Sequence, residues 1–85
     1  MKVTYATAAS DDLRRLQRSI ARRIVEKVAW FASQSDPLRF SLPLQSKRLL
    51  YRFRIGAYRV LFTVQKGTVV ILLVLAVKHR REAYR

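Results

Sequence analysis

Cysteine is absent from this 85-residue chain, glycine and proline occur twice each, histidine once, and acidic residues number only five. Each shortage removes a class of explanation. Without cysteine there are no disulfides and no thiolate metal sites, which fits a reducing, cytoplasmic setting. Two glycines are too few for a glycine-rich loop that cradles phosphates. A lone histidine and scattered carboxylates offer no ligand spacing for zinc or magnesium, so neither a metal nor another cofactor is expected. The wholly apolar run Val69 to Val77 is about half the length of a helix that crosses a bilayer, and it reads instead as a buried strand. Lys2-Val3-Thr4-Tyr5 is too short and too polar to serve as the apolar region of a signal peptide. The expectation is one small domain, residues 1–85, with no role at a membrane.

What the chain has in excess is positive charge: 18 basic residues against five acidic ones, a net charge of +13. From Leu38 onward lie eleven of those basic residues, and the only acid there is Glu82. So one-sided a balance implies a polyanionic partner, with nucleic acid ahead of a membrane surface. Affinity for RNA or DNA should then fall as salt rises. With 51% of residues hydrophobic, material for a core is available.

The stretch from Leu50 to Val64 organises the rest. Tyr51, Phe53 and Ile55 alternate with Arg52 and Arg54, the period-two pattern of a strand with one apolar face. Gly56-Ala57 then reads as a two-residue loop of a type II′ hairpin, in which the first central residue needs a positive φ. Loop length fixes the pairing: Ile55 faces Tyr58, Arg54 faces Arg59, Phe53 faces Val60 and Tyr51 faces Phe62. One face collects the aromatic and aliphatic residues, and the other collects Arg52, Arg54 and Arg59. Two arginines directly opposite each other repel by roughly 0.2–1 kcal/mol, and a bound anion would relieve them.

Around this hairpin the chain reads in order as follows. Lys2 to Ala6 is a short strand, and Thr7 is a candidate N-cap for a helix from Ala8 with Asp11 and Asp12 placed early in it. Leu13, Leu16, Ile20, Ile24, Val28 and Phe31 form an apolar stripe at steps of three or four. Arg14, Arg15, Arg18, Arg22, Arg23 and Lys27 take the other side, as an ordinary solvated face would. The segment Gln17-Arg18-Ser19 marks either a kink or a break between two helices, with Ser19 capping the second. Trp30 belongs to the core or its margin. Ser35-Asp36-Pro37 ends the helical region, and Leu38, Phe40 and Leu42 are expected to reach down onto the core. Gln65-Lys66-Gly67 makes a turn, and Thr68 to Val77 is a central strand with both faces covered. Two helices cover only one face, which hints at a partner on the other.

Three blocks together resemble the RelE branch of the RelE/ParE toxin superfamily: Tyr51-Arg52-Phe53-Arg54-Ile55-Gly56, Tyr58-Arg59-Val60 and His79-Arg80-Arg81-Glu82-Ala83-Tyr84. The resemblance runs over nearly the whole chain. It implies an α+β fold, a small antiparallel sheet with two N-terminal helices packed on one face. It implies the toxin of a type II toxin–antitoxin system, a metal-free endoribonuclease that cuts mRNA in the ribosomal A site. Its partners would be an acidic RelB-like antitoxin, in a hetero-oligomer, together with the ribosome and mRNA. The residues that the resemblance implies as catalytic are Arg52, Arg54, Arg59, Arg80 and Tyr84, and Lys47, Arg48 and Arg81 are candidate RNA-binding residues. Arg52 and Arg54 stand where lysines are common, and an arginine, with a pKa above ~12, is a poor general base. Either another group is the base or proton transfer is secondary to electrostatics. His79 is the candidate acid–base group, its type having an unperturbed pKa near ~6.5. The rival from another class is a ParE-like inhibitor of DNA gyrase without nuclease activity.

Overall fold

The computed structural model describes residues 1–44 and 49–81. Strand β1 (Lys2–Tyr5) leads into helices α1 (Thr7–Arg14) and α2 (Arg18–Ala32), and a 3-10 turn at Pro37–Phe40 precedes the two-residue strand β2 (Leu42–Pro43). Strands β3 (Tyr51–Ile55), β4 (Tyr58–Lys66) and β5 (Val70–His79) complete a five-stranded sheet of order β1-β5-β4-β3-β2. All neighbours run antiparallel except β1, which joins β5 in parallel with Lys2 opposite Ile71 and Tyr5 opposite Val74. The sheet is therefore mixed, and the expected antiparallel arrangement describes its other four strands.

The break near Gln17 separates two helices, and neither starts as expected. Thr7 is the first residue of α1, with Ala6 in the cap position and no side-chain cap. The Ala6 amide is already bonded to the Val74 carbonyl at 2.9 Å, so the strand ladder runs directly into the helix. Asp11 and Asp12 fall beyond the first turn, where the helix dipole acts little. Helix α2 begins at Arg18 with Gln17 as its cap, and Ser19 lies inside it.

Both helices pack on one face of the sheet. Ile24, Val28 and Phe31 of α2 and Ala9 of α1 meet Phe53, Ile55, Val60, Phe62, Leu72, Val74 and Val77 of the strands, all of them buried. An aromatic ladder ties helix to sheet, with Phe31 stacked on Phe53 at 4.4 Å and Phe53 on Phe62 at 4.2 Å between ring centroids. Fully burying such a side chain contributes about 1.5–3 kcal/mol. The face away from the helices is less well covered than expected. Strand β5 starts at Val70, two residues beyond the expected Thr68; Val69 and Val70 are exposed, Ile71 and Leu73 on the uncovered face are half-buried, and so is Leu75. Of the expected contacts from the connecting segment, Leu38 packs on the core beside the buried Pro37, whereas Phe40 and Leu42 stay exposed. Trp30 lies at the margin, 48% exposed, edge-on to Phe31 and Phe40 with the Lys27 ammonium 4.7 Å from its ring centre.

Candidate functional site

The β3–β4 hairpin has the expected register throughout, with Arg54 directly opposite Arg59 and Ile55 opposite Tyr58. Gly56 has φ +58°, and no non-glycine residue of the turn has a positive φ, which is the pattern a type II′ loop requires. Because β5 pairs with β4 at Arg59↔Lys78, the repulsive pair extends to three: Arg54, Arg59 and Lys78 stand side by side across β3, β4 and β5. They share the face turned away from the helices.

The structure treats these three cations differently. Lys78 Nζ donates to Asp12 Oδ1 at 3.3 Å, so the lysine is drawn toward α1. Arg54 is exposed. Arg59, only 4% exposed, donates from Nη1 to the Arg80 carbonyl at 3.5 Å. The Arg80 amide in turn donates to the Ala57 carbonyl at 2.7 Å. These two bonds fasten the end of β5 to the hairpin turn and bring Arg80 beside the other two guanidinium groups. Arg54, Gly56, Tyr58, Arg59 and Arg80 line an open pocket of about 400 Å³, and among the described residues no carboxylate lines it.

The other sequence-derived candidates divide. Arg52 lies on the same strand face as Arg54 but opposite Leu61 and Leu42, outside the pocket. Its Nε is buried and has no hydrogen-bond partner among the described residues. His79 pairs with Tyr58 on the helix side of the sheet, its imidazole 5.3 Å from the tyrosine ring at 88°, and it does not line the pocket. Its Nδ1 accepts from the Arg81 amide at 3.2 Å, which leaves Nε2 to carry the proton of the neutral ring. Arg81 itself is exposed. Tyr84, Lys47 and Arg48 lie outside the described residues, as do Glu82 and Ala83 of the C-terminal motif. Among the described residues no three His, Asp or Glu side chains gather in a way that would hold a metal ion. No helix among them is long and apolar enough to cross a membrane.

Two residues, one lining the pocket and one bonded to the neighbouring Lys78, escaped sequence reasoning. Tyr58, expected on the apolar face, lines the pocket because it ends that face beside the turn. Asp12, expected to act on the helix dipole, is 8% exposed and its Oδ2 accepts a hydrogen bond from the Val77 amide at 2.9 Å. The pairing of β1 with β5 stops at Val74, so the outer edge of β5 beyond that point would have unsatisfied N–H groups, and Asp12 supplies an acceptor there. Its position three residues after the buried Ala9 and next to Leu13, on the inward side of α1, was the available signal.

A pocket of three guanidinium groups on a small basic domain is suited to holding a phosphodiester and the extra charge of a phosphorane. The model for the family described as ParE toxin of the type II toxin–antitoxin system parDE matches residues 3–84. The chain belongs to the RelE/ParE toxin superfamily. Solved RelE/ParE structures agree with it over almost their whole length. A chain of the toxin–antitoxin complex RelBE2 from Mycobacterium tuberculosis has 30% identity and a TM-score of 0.75, with 93% of this chain and 96% of that chain covered. One from the RelE–RelB complex of Pyrococcus horikoshii has 25% identity and a TM-score of 0.71, covering 93% of each. One from the RelB–RelE complex of Methanococcus jannaschii, at 21% identity and a TM-score of 0.68, shares the fold over 94% of this chain and 93% of that one. A search of curated proteins gave no match. As a RelE/ParE member the chain is a type II toxin.

Proposed function

We propose that this toxin is a ribosome-dependent endoribonuclease that cleaves mRNA in the ribosomal A site without a metal and so stops translation. The observation that carries the reading is the meeting of Arg54, Arg59 and Arg80, from three separate segments, around one pocket. In the proposed reaction the ribose 2′-oxygen attacks the adjacent phosphorus and the bond to the 5′-oxygen of the next nucleotide breaks. The products are a 2′,3′-cyclic phosphate and a 5′-hydroxyl. The 2′-hydroxyl loses its proton as the leaving oxygen gains one, so the step is balanced without another reactant. Arginine keeps its proton near neutral pH, so these groups act by stabilising charge on the phosphorane rather than as bases. The ribosome supplies the in-line geometry of the substrate. Arg52, Tyr84 and His79 remain proposed contributors, with Lys47, Arg48 and Arg81 as flanking RNA contacts.

The proposed partner in the cytoplasm is an acidic RelB-like antitoxin, since the structural neighbours come from complexes with RelB. Such a partner would neutralise the basic face in a toxin–antitoxin hetero-oligomer. The family model that matches is that of a ParE toxin, which favours a second reading, inhibition of DNA gyrase without nuclease activity. Induction in growing cells separates the two. We expect mRNA 5′ ends to accumulate at codon-defined positions, and Arg59→Ala and Arg80→Ala each to relieve growth arrest while antitoxin binding persists. DNA damage signalling with intact mRNA would instead establish the gyrase reading.

A further inference from the structure

Beside the arginine pocket lies a second open cleft of about 240 Å³, and the two share Gly56 and Tyr58. Its other walls are Ile20 and Ile24 of α2 and Ile55 and Ala57 of the hairpin, with the exposed Arg23 as the one charged member among the described residues. Ile24 and Ile55 are core residues, 1% and 6% exposed, and form a floor that cannot retreat. Tyr58 stands between the clefts, its ring fixed edge-to-face against His79. A cationic pocket and an apolar slot divided by a tyrosine match a ligand with a phosphate next to a flat, weakly polar group. A nucleotide has that form.

We propose that the apolar cleft is a nucleobase subsite, which receives the base of a nucleotide flanking the phosphodiester held by Arg54, Arg59 and Arg80. The inference rests on the reading of the arginine pocket as an RNA phosphate site, and adds to it where the neighbouring base goes. Tyr58 is the stacking surface, already ordered by His79 before RNA arrives, so little freedom is lost on binding. Arg23 lies where a guanidinium can lie over a base or donate to acceptors on its edge. Selectivity at this position would come from the fit between three isoleucines and the base, and from Arg23.

Binding of an RNA trinucleotide to the full-length chain tests this, in the intact form and in three forms that each have one abasic ribose. Backbone charge is the same in all four. One abasic position should weaken binding about tenfold, as expected for loss of one stacked base, and the other two by less than about twofold. Ala57→Phe, which fills the cleft from the turn, should bring the intact and abasic forms to equal affinity. Independently of any variant, signals of Ile20, Ile24 and Ala57 in the wild type should shift with the intact RNA and stay in place with the critical abasic form. Equal binding of all four RNAs by the wild type, or unmoved isoleucine signals, would overturn the subsite. Arg59→Ala is the separate control: it should weaken all four forms together, and unchanged affinity would overturn the phosphate site itself.

Discussion

Arg59 is charged, 4% exposed and set between two other cations, Arg54 and Lys78. A domain selected only for stability would place a neutral or acidic residue at one of these positions. Arg54→Thr removes the cross-strand repulsion, and we expect it to raise unfolding free energy by about 0.2–1 kcal/mol in denaturant titrations while cleavage falls. Equal or lower stability would mean that the arginine pair is not strained. Tyr5 tests the other side of the sheet. Its hydroxyl is buried without a hydrogen bond among the described residues, and burial raises its pKa above the ordinary 10.0. The neutral form is thus favoured in the folded state, so this contribution is complete below about pH 10 and is lost as pH rises through the higher folded value. Tyr5→Phe should reduce that alkaline loss in thermal melts across pH 9–12, with equal or higher stability at pH 7 because a buried hydroxyl without a hydrogen bond is removed.

Among the elements, the hairpin was legible because its information is local. Alternation in Tyr51–Ile55, a glycine at the one position of positive φ and a two-residue loop together determine which side chains oppose each other. The helical region was legible for the same reason, from the stripe that ends at Phe31, but the stripe does not distinguish a kink near Gln17 from the break that the fold has there. The parallel pairing of β1 with β5 was not, because it joins residues some seventy positions apart and no short-range pattern specifies it. Burial of Asp12 follows from that same pairing: β1 ends early, β5 keeps an open edge, and α1 covers it. Asp12→Ala would leave the Val77 amide and Lys78 without this acceptor, and the expected cost is about 1–3 kcal/mol by denaturant unfolding. Loss of only a few tenths would show that water substitutes at that edge. The start of α1 was not legible because the Ala6 amide is bonded to Val74, a partner outside the local sequence. At the candidate site the three arginines of the pocket were named from the chain alone, whereas Tyr58 and Asp12 needed the fold.

Taken whole, the molecule separates its two kinds of surface. Helices cover one side of the sheet, and the hairpin turn and the end of β5 gather cations at one end of it, where the Arg80 amide meets Ala57. The net charge of +13 draws in a polyanion from any direction, but generic attraction does not place one phosphodiester. The three guanidinium groups do that in the proposed mechanism. Purified ribosomes with a defined mRNA in the A site, mixed with the wild-type chain in a magnesium-buffered reaction, allow the products' end groups to be read directly. We predict one cut per A-site codon with a 2′,3′-cyclic phosphate and a 5′-hydroxyl, slowed about 10²–10³-fold by Arg54→Ala, Arg59→Ala or Arg80→Ala. Uncut mRNA with the wild type, or cutting at an undiminished rate with all three variants, would contradict it.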